Sequence, residues 1–563
     1  MTADRLEAGV EFVTGRDALM RQLLADGTRY VFGNPGTTEI GFLDGLHDYP
    51  QLELVLALHE GVAVSAADGY ARATRRPAFV QLHTAPGLGN GLGMLHNAAQ
   101  ARTPLIVYAG NASSREAADE PILWGDLVEM ARPVCKWAVQ VEHPDDIAKV
   151  LRRVTKVAAE PPAGPVLLSI PMNVLAESGR AQVQPTSHGR TAVVPAAAEL
   201  DRLASALLSA RRVAVVIGDG LIGRGGSTAV TDLAELLGAP IFAGGWASEP
   251  VLAPGHPLWA GAFNTGLTEA AKAAFLGADA VLYLGAPAQP PSFDTRPVPA
   301  PGVRLLQIGL VPGDLAKTVP VELAVAADPA ATAEVLAERV RSRIEEPVLI
   351  ANRAEADRLA AQLRDSEAEY WARLSAGFDA VPISGARLAT ALGEALPADA
   401  VVFDESLSVR PFTARRLARQ PGSYFRAPGS GIGSGLPGAI GVQLAKPDRP
   451  VVGLVADGCA MYATPALWTA AHHRIPVTWV ICNNRSYRTL KSNGLAHLSP
   501  QAAANIPGTD LGDPPIAFHQ LAESMGVPGR LVEHPGQLSD ALAEAVRRPG
   551  PALVEVIIDG AFP

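Results

Sequence analysis

Short apolar runs rich in β-branched residues alternate with helical stretches along most of the chain. Runs of this kind, bounded by Gly, Pro and Asn, are typical of buried parallel strands, and their alternation with helices predicts an α/β fold. Residues 451–455 and 477–481 are two such runs, and Pro465–His473 between them has the pattern of a crossover helix. The chain is therefore predicted to fold into doubly wound parallel sheets.

Changes in composition divide the chain into three α/β blocks. A linker of small and polar residues at 182–198 follows the first block, and a charged, Ala-rich helical stretch at about 329–374 precedes the third. We predict three doubly wound parallel-sheet domains with the boundaries 1–185, 198–345 and 375–563. Strands are predicted at 30–32, 54–58, 78–82, 105–109, 166–170, 213–217, 400–403, 451–455, 477–481 and 552–558.

Composition limits the classes of function. The chain has 563 residues, 48% of them hydrophobic, a formal net charge of −10 and three cysteines. The negative charge argues against a nucleic-acid partner. The sequence contains no run of 18 apolar residues, so no membrane span is predicted. The cysteines are too few and scattered for a disulfide framework or a zinc site, and residues 1–10 lack the features of a secretory signal. A small-molecule substrate and a cytoplasmic location are expected.

Polar residues follow two neighbouring strands of the predicted third block. Asp457 and Gly458 come after one run, and Asn483 and Asn484 come after the next. The carboxyl ends of parallel strands form the edge where open α/β sheets bind ligands. A carboxylate, an amide oxygen and a backbone carbonyl there suit Mg²⁺ and leave room for phosphate oxygens and water. Two ordinary strand-end turns explain the same residues equally well.

The middle block contains a formal match to the dinucleotide-binding fingerprint, with glycines at Gly218, Gly220 and Gly223. The acidic residue expected at the end of the next strand is missing from residues 240–246. A tight turn between a strand and a helix is the favoured interpretation, and an NAD-dependent dehydrogenase is the least favoured function.

Two further groups of motifs, one in the first block and one in the third, accompany the residues around Asp457 and Asn484. The first block contains Gly33-Asn-Pro-Gly-Thr37-Thr38-Glu39 and then Leu56-Ala-Leu-His59-Glu60, and the third contains Gly429-Ser-Gly-Ile432-Gly. In this order, and over nearly the whole chain, the motifs resemble those of the thiamine-diphosphate enzymes of the pyruvate oxidase and acetolactate synthase group. Within that group they are most similar to the benzoylformate decarboxylases.

The resemblance implies thiamine diphosphate and Mg²⁺ as cofactors. It assigns the metal to Asp457, Asn484 and the backbone carbonyl of Ser486. Ile432 corresponds to the bulky aliphatic residue on which the cofactor bends. The expected diphosphate contacts are Ser406, Ser408, Gly458, Cys459 and Tyr487.

Three residues are catalytic candidates by the same resemblance. Glu60 would bind N1′ of the aminopyrimidine and promote formation of the C2 ylid, although a Glu that opens a helix is also favoured by the helix dipole. His83 is placed to transfer a proton near a developing carbanion or alkoxide, or it is a polar strand cap. Thr37 would contact the substrate carboxylate, or it is a turn-forming residue.

Four positions depart from the benzoylformate decarboxylase pattern. Ala456 replaces a glycine before the metal-binding aspartate, and Ser292 aligns with a second active-site histidine. Asn493 aligns with an aromatic pocket residue, and Gly309 replaces an acidic residue of the middle domain. These differences weaken the assignment of benzoylformate as substrate more than the assignment of thiamine chemistry.

The resulting hypothesis is a non-oxidative decarboxylase that converts a 2-oxo acid, benzoylformate or a related acid, to an aldehyde through an ylid and an enamine. The alternatives are a carboligase or lyase that forms or cleaves 2-hydroxyketones, and a non-catalytic paralogue that binds the cofactor. In the related enzymes the first block of one subunit and the third block of another bind one cofactor. A homo-oligomer with active sites between subunits is therefore expected, with a dimer as the minimum and a tetramer as the expected assembly.

Overall fold

The computed structural model describes residues 9–189, 192–244, 247–263, 266–288, 299–429 and 431–560. Three six-stranded sheets account for most of the strands, and every strand pair within them is parallel. This confirms the predicted fold class of three doubly wound α/β domains. Within the described residues, no helix is both long and apolar enough to cross a membrane.

The first sheet has the strand order β3-β2-β4-β5-β7-β6, and a separate antiparallel pair, β1 with β8, joins the two ends of this part of the chain. Its elements are β1 (Val10–Thr14), α1 (Gly15–Ala25), β2 (Tyr30–Gly33), α2 (Ile40–Asp48), β3 (Glu53–Leu56), α3 (Glu60–Thr74), β4 (Ala78–Leu82), α4 (Thr84–Gln100), β5 (Leu105–Asn111), α5 (Leu127–Ala131), β6 (Trp137–Gln140), α6 (Ile147–Ala159), β7 (Val166–Pro171), α7 (Met172–Ala176) and β8 (Ser178–Gln182).

The second sheet has the order β11-β10-β9-β12-β13-β14. Its elements are α8 (Ala197–Leu208), β9 (Val213–Ile217), α9 (Ser227–Leu237), β10 (Ile241–Ala243), β11 (Trp259–Ala262), α10 (Glu269–Leu276), β12 (Ala280–Leu284), β13 (Arg304–Gly309), β14 (Leu323–Ala326), α11 (Pro329–Arg341) and α12 (Glu346–Ser375). The helical stretch predicted at about 329–374 is thus two helices, and Pro at the start of each suits the first turn.

The third sheet has the order β16-β15-β17-β18-β20-β19. Its elements are α13 (Gly385–Ala395), β15 (Val401–Glu405), α14 (Arg410–Leu417), β16 (Tyr424–Phe425), α15 (Gly435–Ala445), β17 (Val451–Ala456), α16 (Asp457–Ala460), α17 (Pro465–His473), β18 (Val477–Asn483), α18 (Arg488–Gly494), α19 (Pro500–Ala504), α20 (Phe518–Ser524), β19 (Gly529–Val532), α21 (Leu538–Arg547) and β20 (Ala552–Ile557). The crossover helix α17 has the predicted bounds.

Each sheet reverses its strand order beside the first of its strands in the chain, which leaves a crevice at the carboxyl edge where open α/β sheets bind ligands. The reversal lies between β2 and β4 in the first sheet, between β9 and β12 in the second, and between β15 and β17 in the third. The loops at these three points are therefore the expected positions of ligand-binding residues.

The first and third sheets share one hydrophobic core. Helix α3 packs against α15 so closely that a Cβ on Gly441 would lie 1.8 Å from the carbonyl oxygen of Ala66. A larger residue at this position would separate the helices, because the contact is to backbone. The two helices fix the first and third domains relative to each other, and each leads directly from a candidate site loop.

Candidate active site

The Glu60 carboxylate is buried just beyond the carboxyl end of β3, at the first residue of α3. His59 caps this helix, because its Nδ1 accepts the backbone N–H of Gly61 at 3.0 Å. Oε2 of Glu60 accepts a hydrogen bond of 3.0 Å from Nδ2 of Asn90 in α4. A Cβ on Gly87 would lie only 2.9 Å from Oε1. The chain therefore holds this carboxylate in one orientation against α4.

A second buried carboxylate, that of Glu39, orients His83 at the neighbouring strand end. Nδ1 of His83 lies 2.8 Å from Oε2 of Glu39, whose residue is fully buried. Oε1 of Glu39 accepts the Thr38 hydroxyl at 2.7 Å and the Gly110 backbone N–H at 2.8 Å. A carboxylate can only accept hydrogen bonds, so the pairing places a proton on Nδ1 of the imidazole and leaves Nε2 as the nitrogen that can accept one.

Thr37 lies beside this pair, at the crevice between β2 and β4. It begins the short 3₁₀ helix Thr37–Glu39 and is exposed, whereas the adjacent Thr38 is buried. The preceding backbone approaches the imidazole so closely that a Cβ on Gly36 would lie 2.0 Å from Nδ1 of His83. The structure thus brings the exposed Thr37 to the same sheet edge as His83.

Asp457 and Asn484 extend from adjacent strands of the third sheet. Asp457 follows β17 and Asn484 follows β18, and these strands pair up to Ala456 and Cys482. Oδ1 of Asp457 accepts the Gly458 backbone N–H at 2.8 Å, whereas its Oδ2 is buried without a hydrogen-bond partner among the described residues. A buried oxygen without a partner is costly, and a bound cation would compensate for it.

The electrostatics of Asp457 also favour a cation. Burial raises the pKa of Asp457 to about 6, and the nearby backbone amides of Gly458, Arg485, Ser486 and Asn484 offset part of this rise in pKa. No cluster of three His, Cys, Asp or Glu side chains occurs in the described part of the chain. A cation here would therefore need oxygen ligands beyond acidic side chains, as a metal bound to a diphosphate has.

The turn after β18 is held by its own side chains. Oδ1 of Asn484 accepts the backbone N–H of Ser486 at 2.9 Å, and Nδ2 of Asn484 donates to Oγ of Ser408 at 3.3 Å. The Ser486 hydroxyl donates to the carbonyl oxygen of Thr509 at 3.0 Å. Ser408 therefore contacts the turn directly, at the crevice where the strand order reverses.

The remaining predicted diphosphate contacts follow the carboxyl ends of β15, β17 and β18. Ser406 is buried, and its backbone N–H and hydroxyl both donate to Oδ1 of Asp404 at 2.7 Å. The Tyr487 ring lies against Gly458, where a Cβ would be 2.4 Å from the ring. Cys459 is buried in α16, and burial raises the pKa of its thiol, so the thiol stays protonated.

The loop of Ile432 leads into α15, and the carboxylate of Glu405 fixes it. Glu405 is the last residue of β15, and burial raises its pKa. It accepts hydrogen bonds from the backbone N–H groups of Gly433, Ser434 and Gly435 at 2.9, 3.1 and 2.7 Å, and from the Ser434 hydroxyl at 3.0 Å. Ile432 itself is half-buried immediately before these residues.

The four residues that depart from the family pattern lie in different parts of the structure. Ala456 ends β17 and leaves the Asp457 position intact. Asn493 lies in α18 and is exposed, and Gly309 ends β13 in the second sheet. Ser292 lies outside the described residues, so its role stays a prediction.

The glycine motif of the middle domain brings two loops together at the crevice of the second sheet. The Gly220 backbone N–H donates to the carbonyl oxygen of Gly285 at 3.0 Å, and a Cβ on Gly220 would lie 2.6 Å from Cα of Gly285. Asp219 accepts the backbone N–H of Ser248 at 2.7 Å. Close packing accounts for Gly218 and Gly220, and a positive φ of 70° accounts for Gly223, in line with the tight-turn interpretation.

Sequence reasoning did not assign roles to Glu39, Asn90 or Glu405, each of which holds a predicted site element. Their partners are 44, 30 and 28 to 30 positions away in the sequence. The available signal was a charged or amide residue within a glycine-rich motif at a strand or helix end, where buried polar groups need partners.

Comparisons with known proteins agree with these features. Three family models match the chain: the N-terminal TPP binding domain of thiamine pyrophosphate enzymes at residues 13–132, the central domain at 200–336 and the C-terminal TPP binding domain at 411–556. Benzoylformate decarboxylase of Pseudomonas aeruginosa is 32% identical over 94% of this chain and 96% of its own length.

Two further relatives cover nearly the whole chain. A putative acetolactate synthase large subunit of Mycobacterium tuberculosis is 32% identical over 97% of this chain and 99% of its own length. The solved structure of the thiamine diphosphate-dependent 4-hydroxybenzoylformate decarboxylase of Rhodococcus jostii superposes with a TM-score of 0.82. It is 28% identical, covering 98% of this chain and 100% of that chain.

Proposed function

The chain belongs to the family of thiamine pyrophosphate enzymes, and from that premise we propose that it catalyses the Mg²⁺-dependent, non-oxidative decarboxylation of a 2-oxo acid to an aldehyde. The observation that carries this proposal is the pair of anchored catalytic groups at one sheet edge, Glu60 against Asn90 and His83 against Glu39. Two relatives are named for the decarboxylation of benzoylformate or its 4-hydroxy derivative. Benzoylformate and related 2-oxo acids are the proposed substrates.

Thiamine diphosphate, when bound, supplies the carbon nucleophile and the electron sink for decarboxylation. The residues of the chain position it. We assign Glu60 to a ring nitrogen of the cofactor, because its carboxylate is buried and fixed by Asn90 yet has a second oxygen to share a proton. The Asn90 amide donates to Oε2 and so keeps that oxygen an acceptor.

His83 and Thr37 are assigned to the substrate. Glu39 holds the Nδ1 proton of His83, so Nε2 can accept a proton from, or return one to, the reacting carbon or oxygen. The exposed Thr37 hydroxyl can donate to a substrate carboxylate at the same edge. Together they would orient the acid for loss of CO₂ and supply the proton that completes the aldehyde.

Asp457, Asn484 and the backbone carbonyl of Ser486 are the proposed Mg²⁺ ligands. The buried Oδ2 of Asp457 has no partner among the described residues, and such an oxygen suits a hard cation. Ser406, Ser408, Tyr487 and the amides of Gly458 and Cys459 would contact the diphosphate, and Ile432 would support the bent cofactor. These residues surround the crevice between β15 and β17.

We propose that the complete site forms between two copies of the chain. Among the described residues, no hydrogen bond joins Glu60 or His83 to Asp457 or Asn484. Large apolar side chains are exposed beside both groups, with Leu58 48% exposed before Glu60 and Tyr462 61% exposed after α16. A second copy would cover these side chains, so a dimer is the minimal active unit and a tetramer the proposed assembly.

Product analysis tests the proposal. The purified protein, loaded with thiamine diphosphate and Mg²⁺, is incubated with benzoylformate, 4-hydroxybenzoylformate, pyruvate and a branched 2-oxo acid, and CO₂ and aldehyde are measured. Equal amounts of CO₂ and aldehyde from at least one acid, lost on omission of the cofactor, are expected. No CO₂ from any acid would refute the decarboxylase.

A carboligase that forms 2-hydroxyketones is the second candidate. The putative acetolactate synthase relative, at the same 32% identity as the benzoylformate decarboxylase, favours it. The same incubations with added acetaldehyde or benzaldehyde separate the two, because a carboligase releases CO₂ but converts the aldehyde to a 2-hydroxyketone.

A further inference from the structure

Three polar residues recur at seven-residue intervals along α4 and its N-terminal cap: His83, Asn90 and Asn97. Seven residues are close to two helical turns, so Asn90 and Asn97 lie in one row on the helix, and His83 lies at its N-cap. His83 contacts Glu39 and Asn90 contacts Glu60, as described above. Two of the three residues, His83 and Asn90, thus serve the Glu60 side of the site, and Asn97 has no role in the proposed function.

Asn97 forms two hydrogen bonds to the backbone of a single residue, Gly431, in the loop of Ile432. Its Nδ2 donates to the Gly431 carbonyl oxygen at 2.7 Å, and its Oδ1 accepts the Gly431 N–H at 2.9 Å. The Asn97 residue is only 3% exposed. Two bonds from one planar amide fix both the position and the orientation of the peptide, and their loss would leave buried backbone groups unpaired.

The far side of the same loop is fixed by Glu405, which binds the backbone of Gly433, Ser434 and Gly435. Ile432 is the single residue between the two sets of hydrogen bonds. Its backbone is therefore held from the first domain through Asn97 and from the third domain through Glu405. The position of its side chain depends on both.

We propose that Asn97 is a positioning residue for the cofactor, acting by holding the Ile432 loop to the helix that also anchors Glu60 and His83. This inference rests on the proposed role of Ile432 in supporting bound thiamine diphosphate. Without the Asn97 amide, the loop loses its attachment to α4, and Ile432 no longer presents a fixed surface to the cofactor. Glu405 alone holds only the residues that follow Ile432.

The test compares Asn97→Ala and Asn97→Asp with the control Gln443→Ala. Gln443 is a buried amide in the second half of α15, and its Nε2 donates to the carbonyl oxygens of Lys446 and Arg449 at 3.1 Å. It therefore matches Asn97 in chemistry but not in location. The readouts are thiamine diphosphate affinity with Mg²⁺ by calorimetry, the near-ultraviolet circular dichroism of the bound cofactor, and the Tm of the cofactor-free protein.

We expect Asn97→Ala to raise the Kd for thiamine diphosphate at least 10-fold. The near-ultraviolet circular dichroism of the cofactor that still binds should also change. Gln443→Ala should leave both unchanged, with a loss of Tm similar to that of Asn97→Ala. Asn97→Asp keeps the acceptor for the Gly431 N–H but places a second oxygen against the Gly431 carbonyl oxygen, where the two acceptors repel. Its loss of affinity for thiamine diphosphate should therefore be at least as large as that of Asn97→Ala. If Asn97→Ala does not fold, Asn97→Ser replaces it, with a smaller but measurable rise in Kd.

An Asn97 variant that binds the cofactor with wild-type affinity and dichroism would overturn this inference and leave the proposed function standing. A wild-type protein that binds no thiamine diphosphate would overturn the proposed site and the inference together. The two failures are therefore distinguishable in one set of titrations.

Discussion

Nδ1 of His83 lies 2.8 Å from Oε2 of the fully buried Glu39, and both oxygens of that carboxylate are engaged. The Oε1 atom accepts the Thr38 hydroxyl and the Gly110 N–H, so it cannot be replaced by an amide NH₂ without a clash between donors. The pair therefore fixes which imidazole nitrogen carries the proton, and not only where the ring lies.

Glu39→Gln should leave the cofactor bound but reduce kcat. With Oε1 retained for Thr38 and Gly110, the new amide nitrogen must face Nδ1 of His83 and donate to it. That forces the proton to Nε2 and removes the acceptor proposed to act on the substrate, and a loss on the order of 10²-fold in kcat follows for a displaced acid-base group.

Steady-state decarboxylation of the preferred 2-oxo acid measures this effect. The control is Glu235→Gln, because Glu235 is an exposed partner of His256 at 3.2 Å in the middle domain. It should retain wild-type kcat. A Glu39→Gln enzyme with normal kcat would show that the proton position on His83 does not matter.

The buried strands could be predicted from the sequence because their apolar runs are local. The strands β2, β4, β5, β7, β9, β15, β17, β18 and β20 lie where the runs place them, and α17 has the predicted bounds. The edge strands β6, β16 and β19 were not predicted, and neither were β11 to β14 of the middle domain, although β12 is a central strand and fully buried. The break between α11 and α12 was missed because residues on both sides are helix formers.

Only those site residues that lie within the family motifs could be predicted from the sequence. Asp457, Glu60 and Ile432 lie within motifs that the family shares, so the resemblance located them. Asn97 and Glu405 approach the Ile432 loop from opposite sides through bonds spanning 334 and 28 positions. No periodicity or spacing in one sequence reports such contacts. The Asn97 bonds form only when the first and third domains pack, and the Glu405 bonds form only when the loop folds back onto the end of β15.

The raised pKa of Asp457 makes the stability of the metal-free protein depend on pH. The folded-state pKa of about 6 lies above the ordinary value of 3.8. The native state therefore holds the extra proton between these values, and this stabilising contribution is present below pH 3.8 and lost as the pH rises through 6. The full loss is about 3 kcal/mol, from about 1.4 kcal/mol for each pKa unit.

The side chain of Asp457→Asn cannot ionise. In the presence of EDTA, the free energy of unfolding of this variant minus that of the wild type should therefore increase as the pH rises from 4.5 to 6. Above pH 6 this difference should stay constant. Urea denaturation at pH 4.5, 5.5, 6.5 and 7.5 measures the difference. Asp44→Asn, at an exposed partner of Arg16, should show no such trend. Saturating Mg²⁺ with thiamine diphosphate at pH 7.5 should reverse the order of stability. If the free energies of unfolding of Asp457→Asn and the wild type differed by the same amount at every pH, the raised pKa of Asp457 would be contradicted.

Glu555→Gln should weaken metal binding without touching a proposed ligand. The buried carboxylate of Glu555 in β20 accepts Nδ2 of Asn483 at 2.7 Å and both Nδ1 and the backbone N–H of His519. Oδ1 of Asn483 in turn accepts the N–H of Arg485 at 3.1 Å, within the turn that contains Asn484. An amide at position 555 must face one of these donors with its own NH₂.

The expected loss of Mn²⁺ affinity, measured by electron paramagnetic resonance with thiamine diphosphate present, is roughly 10- to 100-fold, as for other residues that orient metal ligands. Glu544→Gln, which removes an exposed partner of Arg530, provides the control and should bind Mn²⁺ normally. Unchanged affinity in Glu555→Gln would mean that the turn holds its shape without this carboxylate.

Mixing two inactive variants tests whether the site forms between subunits. Glu60→Ala removes the proposed ring contact and Asp457→Ala removes the metal ligand, so each homodimer should be inactive. In a dimer with one subunit of each kind, a site built between subunits places both lesions in one site and leaves the other intact. Random pairing on coexpression should then restore about a quarter of wild-type activity, since half of the dimers are mixed and each has one intact site. Isolation of the mixed dimer with two affinity tags should raise this to about half. If each subunit instead contained its own complete site, every site would carry a lesion, and mixing would restore no activity at all.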